Sequence, residues 1–416
     1  MRLPTDIECL YLDFDGFFAS VEQALDPRLR GRPVGVVPFA GSARTCIIAC
    51  SREAKRLGVK NIMGVADARR LCPDIILVPQ QPDMYRRAHN ALLAEIETVI
   101  PITAVKSIDE LTCDMDARAR RDPEALAAAI KAAIRDGIGR GITCSIGMAA
   151  NRQLAKIAGK QNKPDGLTIW HPRMMPEPLL AVPLDDIPGV GGRMVRRLAW
   201  AGVADTAGLY AMAPKHMRQV WGNVTGERLW YALHGYAVHA PDTQRGMFGH
   251  SRVMPPEARG LAPVYRMARL LATRAARRMR REGWFTSMLH VGLDIEGGGW
   301  WRAAPLPMVG DDLAILRALR RVWDEAMASL PPRTRVFRVN ITLGDLTPAG
   351  QRQTDLFRVG DDRLRQRAEA ATRAMDALNA RYGRTVVSVG PWTPREGDYA
   401  GGKIAFTRIP SAEDFQ

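Results

Sequence analysis

Twice along the chain, short apolar strands alternate with amphipathic helices in a split β–α–β order, and a stretch without strand character separates the two. That order constrains the fold more than any other feature, because it calls for two sheets that each carry helices, joined through a purely helical region. In the first half, residues 7–12 read as a buried strand ending on Asp13 and residues 17–25 as a helix. Residues 33–38 and 46–50 read as strands, and 53–57 and 64–71 as short helices. Residues 85–100 form a longer amphipathic helix, and 104–108 and 111–115 two strands around a turn at Asp109 and Glu110. A helix over 123–134 and a strand over 142–148 follow, with Asn151 placed to cap a helix to about residue 161. Residues 17–81 make a small module inserted into this first unit. From 183 to 234 only helices and turns are expected, and 236–246 reads as a linker.

The second unit has the order βαββαβ: strand 249–254, helix 264–281, strands 288–295 and 300–304, helix 313–330 and strand 335–343. A polar stretch, a charged helical pattern over 364–381 and a Gly-rich end complete the 416 residues. The fold class is α+β and multidomain. A hydrophobic fraction of 46% supports sizeable cores. The 59 lysines and arginines against 44 acids give a formal charge of +15, which points to a polyanionic partner. The six cysteines form no CxxC pair and sit mostly in apolar stretches, as buried free thiols do. The run 7–12 is short and contains Glu8, unlike a signal peptide, and nothing approaches a membrane-spanning length. A cytoplasmic protein with no membrane partner is expected.

The chemistry centres on carboxylates. Asp13 ends an apolar strand in Leu12-Asp13-Phe14-Asp15, and Asp109 and Glu110 stand together between two strands. Acids at strand ends can hold hard cations at a sheet edge. Nucleotidyl transfer needs such a cluster, one cation activating the attacking hydroxyl and a second neutralising the triphosphate. Phe17 and Phe18 follow at once, and a ring packed under a bound sugar would clash with a 2′-hydroxyl. Arg52 and Lys55, three apart on one helical turn, share a face. With Lys163, in Asn162-Lys163-Pro164-Asp165-Gly166, they are the candidate triphosphate ligands. Gly189 and Gly191, in Ile187-Pro188-Gly189-Val190-Gly191-Gly192, resemble a helix-hairpin-helix turn whose N–H groups meet a DNA phosphate. The helix 264–281 carries Arg266, Arg269, Arg274, Arg277, Arg278, Arg280 and Arg281 and no acid, so an uncompensated arginine face is expected to track a phosphate backbone, with Arg274, Arg277 and Arg278 as its DNA contacts. Gln353-Thr354-Asp355-Leu356-Phe357 could anchor in a hydrophobic pocket of a partner. No P-loop, dinucleotide fingerprint or Ser or Cys nucleophile pattern is present.

Assembled, these residues resemble the Y-family of translesion DNA polymerases, the bacterial DNA polymerase IV type in particular, from residue 7 to about 345. Residues 11–22, Ser107-Ile108-Asp109-Glu110, and Thr143–Gly147 with Leu154–Ala158 and 162–166 resemble its three ordered motifs. The resemblance implies a right-hand polymerase. Its ferredoxin-like palm would be 1–16 and 82–170, its small fingers 17–81, and its helical thumb with the helix-hairpin-helix 171–238. A linker at 239–247, a βαββαβ little finger at 248–346 and a tail at 347–416 would follow. It implies template-directed synthesis past damaged bases, with low fidelity and no proofreading. It also implies two Mg2+ ions, with Mn2+ as a substitute, on Asp13, Asp109, Glu110 and the carbonyl of Phe14. Phe18 becomes the steric gate, and Gln353, Leu356 and Phe357 a peptide for the sliding clamp (beta). Primer-template DNA and dNTP are the other partners of a monomer. The fingers depart from the family: Arg52 and Lys55 stand where a Tyr and an Arg are usual, and Ala49 where a Thr is common. Two other readings compete, a non-catalytic polymerase-like accessory protein and a template-independent nucleotidyl transferase. The intact acids oppose the first. The glycine hairpin, the arginine face and the clamp-like peptide have no use in the second.

Overall fold

The computed structural model describes residues 1–38, 45–239, 245–352, 359–383, 385–390 and 409. They fall into two compact units, one of Met1–Pro241 with Ile404–Ile409 and one of Asp242–Lys403 with Pro410–Gln416.

The strands of the first unit are β1 (Cys9–Phe14), β2 (Val34–Val37), β3 (Ala49–Cys50), β4 (Ile76–Pro79), β5 (Ala104–Val105), β6 (Glu110–Asp114), β7 (Cys144–Ala149) and β8 (Leu167–Trp170). Five of them form one sheet in the order β5-β6-β1-β7-β8, and the other three form a small sheet in the order β3-β2-β4. β1 is antiparallel to both β6 and β7 and is central, so it is buried along almost its whole length. That explains why it reads as an unbroken apolar run rather than an alternating one. The helix Phe17–Leu25 buries Phe17, Ala19 and Val21 in the same core as Leu10, Leu12 and Phe14. The three-stranded sheet, with its short helices Arg52–Arg56 and Val65–Leu71, also reaches that core through Val36 and Ala49.

Several expected strands shrink or shift. The strand expected over 104–108 is only Ala104–Val105, because Lys106 and Ser107 both donate their N–H to the Glu110 carbonyl and tighten the chain into a turn. Glu110 consequently opens β6 instead of sitting in the turn. β4 and β8 were not expected; both are four residues long and only partly buried. Asn151 does cap the helix Arg152–Gln161, accepting from Leu154 N at 3.0 Å. From Glu177 to Leu233 the chain forms short helices that share a core with Tyr11, Leu154 and Ile157. All six cysteines are free, and five are buried.

The second unit has strands β9 (Phe248–Val253), β10 (Trp284–Ile295), β11 (Gly298–Val309) and β12 (Val336–Pro348). Its sheet has the order β11-β10-β12-β9, with every neighbouring pair antiparallel. The helices Leu261–Arg281 and Asp312–Ser329 bury Leu271, Met279, Leu319 and Trp323 with Leu289, Val291, Ile341 and Leu343 from the sheet. Beyond β12 the chain returns to this body. The helix Val359–Tyr382 reaches it through Asp376, which accepts from Arg280, and Glu369, which accepts from Arg352 at 2.8 Å. Among the described residues, no helix is long and apolar enough to cross a membrane.

Candidate active site

The register of the central strand gathers the acids. Asp13 is the Cα partner of Glu110 on one side and of Ser145 on the other. Phe14 N donates to the Asp109 carbonyl at 2.8 Å, sewing the Asp109 turn to the end of β1. Buried His89, on the helix Pro82–Glu97, holds the same turn from behind, its Nδ1 2.7 Å from the Ile108 carbonyl. Ser107 Oγ donates to the Asp109 carboxylate.

Two lysines face these acids. Lys163 Nζ lies 2.5 Å from Asp13 Oδ1. Lys156 Nζ lies 2.7 Å from Glu110 Oε1 and donates to Tyr11 Oη at 3.0 Å. Lys156 can reach because β7 and the helix Arg152–Gln161 touch at Gly147, where an added β-carbon would lie only 2.0 Å from the Ala155 carbonyl oxygen. Even with Lys163 beside it, the Asp13 carboxyl is pushed up to about 6. Burial is the main cause and Asp109 and Glu110 add to it, against the pull of Lys163. As arranged, no three acid, cysteine or histidine side chains among the described residues stand close enough to share an ion. The carboxylate oxygens of Asp13, Asp109 and Glu110, brought to one strand end, are the hard donors that divalent magnesium takes. Phe14 has its ring buried in the core, so only its main chain is open to such a role.

Asp15 points away from this group. It is buried and accepts from Thr143 Oγ1, Ser145 Oγ and Asp165 N, each at 2.8 Å. Arg52 Nη2 lies 3.6 Å from the same carboxylate. Lys55 Nζ sits 3.9 Å from where a β-carbon on Gly16 would stand. Arg52 and Lys55 therefore both reach the turn that follows Asp13, which brings three of the expected cations, with Lys163, to one strand end.

The two phenylalanines separate in role. Phe17, expected to bind nucleotide, has its ring buried in the core against Phe14, which leaves its main chain for such a contact. Phe18 is half-buried and stacks on Tyr85 with centroids 4.4 Å apart and planes 15° apart. Tyr85 donates its hydroxyl to Glu22 Oε1 at 2.6 Å.

The glycine turn behaves as its residues suggest. Gly189 has φ +101°, a conformation that side chains disfavour, and open space lies where β-carbons at Gly189 and Gly191 would stand. Gln153 Nε2 ties the turn to the neighbouring helix through the Pro188 carbonyl at 2.8 Å.

The arginine face needs correction. Arg278 is buried and donates to the Gly249 carbonyl at 2.7 Å, so it braces β9 and is not available to DNA. Arg277 lies 3.8 Å from Asp376, and Arg280 pairs with both Asp312 and Asp376. For Arg277 and Arg280 the acids missing from this helix arrive from two others, so that part of the face is compensated. Arg274 shares the helix and also has a partner. Gln353, Leu356 and Phe357 lie outside the described residues.

Four site residues carried no assigned role in the sequence: Lys156, Asp15, Tyr85 and His89. Lys156 falls within a motif already noted, but its partner is 46 positions away. Tyr85 and His89 read only as the buried stripe of an amphipathic helix.

A sheet that ends in paired acids, faced by lysines and an aromatic shelf, suits the chemistry of nucleotidyl-transferring enzymes. Residues 12–160 match the impB/mucB/samB family model and residues 245–356 the model of that family's C-terminal domain. The chain is 34% identical over 399 residues to DNA polymerase IV of Moorella thermoacetica, covering 92% of this chain and 95% of that one. It is 28% identical over 406 residues to DNA polymerase IV 1 of Bacillus subtilis, covering 93% of each. A solved Y-family DNA polymerase chimera of Dbh and Dpo4 shares the fold, with a TM-score of 0.68 over 82% of this chain and 99% of that one, at 22% identity. The chain belongs to the impB/mucB/samB family, the Y-family DNA polymerases.

Proposed function

We propose that the chain copies a DNA template past damaged bases, adding dNTP to a primer 3′-OH at the strand end where Asp13, Asp109 and Glu110 meet. The observation that carries this reading is the pairing of Asp13 with Glu110 across β1 and β6, with Asp109 sewn to the same strand end. Asp13, Asp109, Glu110 and the Phe14 carbonyl are the groups that would hold two Mg2+ ions. Bound there, the ions would lower the pKa of the primer hydroxyl and neutralise the triphosphate. Lys163, Arg52 and Lys55 bind and orient the triphosphate, and fixed cations stabilise the charge that moves along it during transfer. Phe18, held flat on Tyr85, excludes a ribose 2′-hydroxyl.

The five-stranded sheet serves as palm, the three-stranded module as fingers, the helices after residue 171 as thumb and the second unit as little finger. The Gly189 and Gly191 turn takes a DNA phosphate on its main-chain N–H groups. Gln353, Leu356 and Phe357 tether the enzyme to the sliding clamp, and the enzyme works in the cytoplasm as a monomer. Primer extension with Mg2+ tests the central reading. With all four dNTPs the product should reach the template end, past a template lesion as well, and with single dNTPs it should follow the template base. Extension that ignores the template sequence would instead support a template-independent transferase. No extension at all would support an accessory protein.

A further inference from the structure

We propose that Asp15 is a positioning residue that sets the two phosphate-binding cations Lys163 and Arg52, and that it is not a metal ligand. This rests on reading those cations as triphosphate ligands.

An ionised carboxylate has about four lone-pair sites for hydrogen bonds. At Asp15, Oδ1 accepts from Ser145 Oγ, and Oδ2 accepts from Thr143 Oγ1 and Asp165 N, all at 2.8 Å. The Arg52 guanidinium faces Oδ2 at 3.6 Å. Three of those sites are taken and the side chain is only 4% exposed, so the carboxylate is committed to the protein and not to an ion at the surface.

The donors come from three separate segments. Thr143 and Ser145 belong to the β7 edge, Asp165 to the turn after the helix Arg152–Gln161, and Arg52 to the first position of the helix Arg52–Arg56. Asp165 holds φ +58°, an unfavourable conformation for a residue with a side chain. Its N–H bond to Asp15 and the ion pair from Lys131 at 3.2 Å keep it there. Lys163 stands two residues earlier in that turn and meets Asp13 at 2.5 Å. Fixing Asp165 therefore fixes the approach of Lys163.

Arg52 is held differently. Its Nη2 is enclosed and has no acceptor within hydrogen-bond distance, only the longer ion pair to Asp15. The Arg52 side chain is 31% exposed, so Asp15 can orient the guanidinium through the enclosed Nη2 while the open part of the group meets a phosphate oxygen. Arg52 occupies the position where the family usually has Tyr, so the Asp15–Arg52 pair gives this chain its own way of presenting a guanidinium to the triphosphate. Three hydrogen bonds and the Arg52 ion pair also mask a negative charge that would otherwise repel that triphosphate.

Steady-state primer extension by the full chain tests the inference with Asp15→Asn, Arg52→Ala, Lys163→Ala and the Asp15→Asn/Arg52→Ala pair. Asp15→Asn should raise the KM for dNTP about tenfold, the scale on which misplaced binding groups act. Its kcat, DNA affinity and Mg2+ requirement should stay near the parent's. The double variant should be less than additive, since part of the Asp15 effect runs through Arg52. An unchanged KM in a normally folded Asp15→Asn overturns the proposal. So does a raised Mg2+ requirement, which would make Asp15 a ligand. If Arg52→Ala and Lys163→Ala both leave KM unchanged, the triphosphate reading itself fails; if they raise it and Asp15→Asn does not, only the positioning role fails. Should Asp15→Asn not fold, Thr143→Val removes one donor from the same carboxylate. A KM raised a few fold at an unchanged melting temperature then supports the role, and an unchanged KM rejects it.

Discussion

The end of β1 and the helix Leu261–Arg281 handle charge in opposite ways. At β1 the acids Asp13, Asp109 and Glu110 are gathered and lysines are brought to them, yet Asp13 remains pushed up to about 6. On the helix, arginines are gathered and acids are brought to them. Burial works against the Arg280 charge, but Asp312 and Asp376 more than restore it and raise its pKa. In the first region burial still works against the charge of an acid, and in the second two acids more than offset what burial does to Arg280. Two sheets with helices packed on them can thus place one where chemistry needs a cation and the other where the fold needs a brace, and the difference lies in side chains at strand ends and helix faces.

The largest effect that would sharpen this contrast is on stability. Arg280→Ala strands Asp312 in a buried place, so the second unit should lose about 3–5 kcal/mol, read by chemical denaturation. A loss below about 1 kcal/mol, the value of an exposed pair, would break the comparison by showing that the arginines are not structural.

The cations of the first region should matter for binding. Arg52→Ala with Lys55→Ala should weaken apparent dNTP affinity about a hundredfold, as removal of charge-assisted contacts does. DNA affinity should hardly move. Equal loss of DNA binding would mean that these cations belong to a general basic surface.

Phe18→Ala tests the aromatic shelf. Discrimination against ribonucleotides should fall by roughly ten- to a hundredfold, on the scale at which a pocket rejects one small group. Unchanged discrimination would return Phe18 to the core beside Phe17.

The smallest effect is on pH. The folded pKa of Asp13 stands above the ordinary 3.8, so its contribution to folding is fully present below pH 3.8 and is lost as pH rises through about 6. Cation binding needs the ionised carboxylate. Added Mg2+ should therefore raise the melting temperature little below pH 6 and more above it. A pH-independent gain would place the ion away from Asp13.

Much of this was legible in the sequence where the signal is local. The apolar run into Asp13, the Asn151 cap, the Gly189 turn and the strand and helix order of the second unit depend on neighbours within a few residues. β4 and β8 were not, because four-residue strands without clean alternation carry little periodicity. The partners of Asp15 and Arg280 were beyond reach for a different reason. Ser145 is 130 positions from Asp15, and Asp376 is 96 from Arg280. A count of arginines on one helix says nothing about acids that arrive from others, which is why that face looked open.

The most direct test of the account is a paired measurement on Asp109→Asn: primer extension with Mg2+ and four dNTPs, and affinity for the same primer-template. The substitution removes an acid from the strand end and leaves the basic surfaces intact. Extension should fall by at least about a thousandfold while DNA affinity stays near the parent's. Near-normal extension would contradict the account, because the acids gathered at the end of β1 would then not be those that carry the reaction.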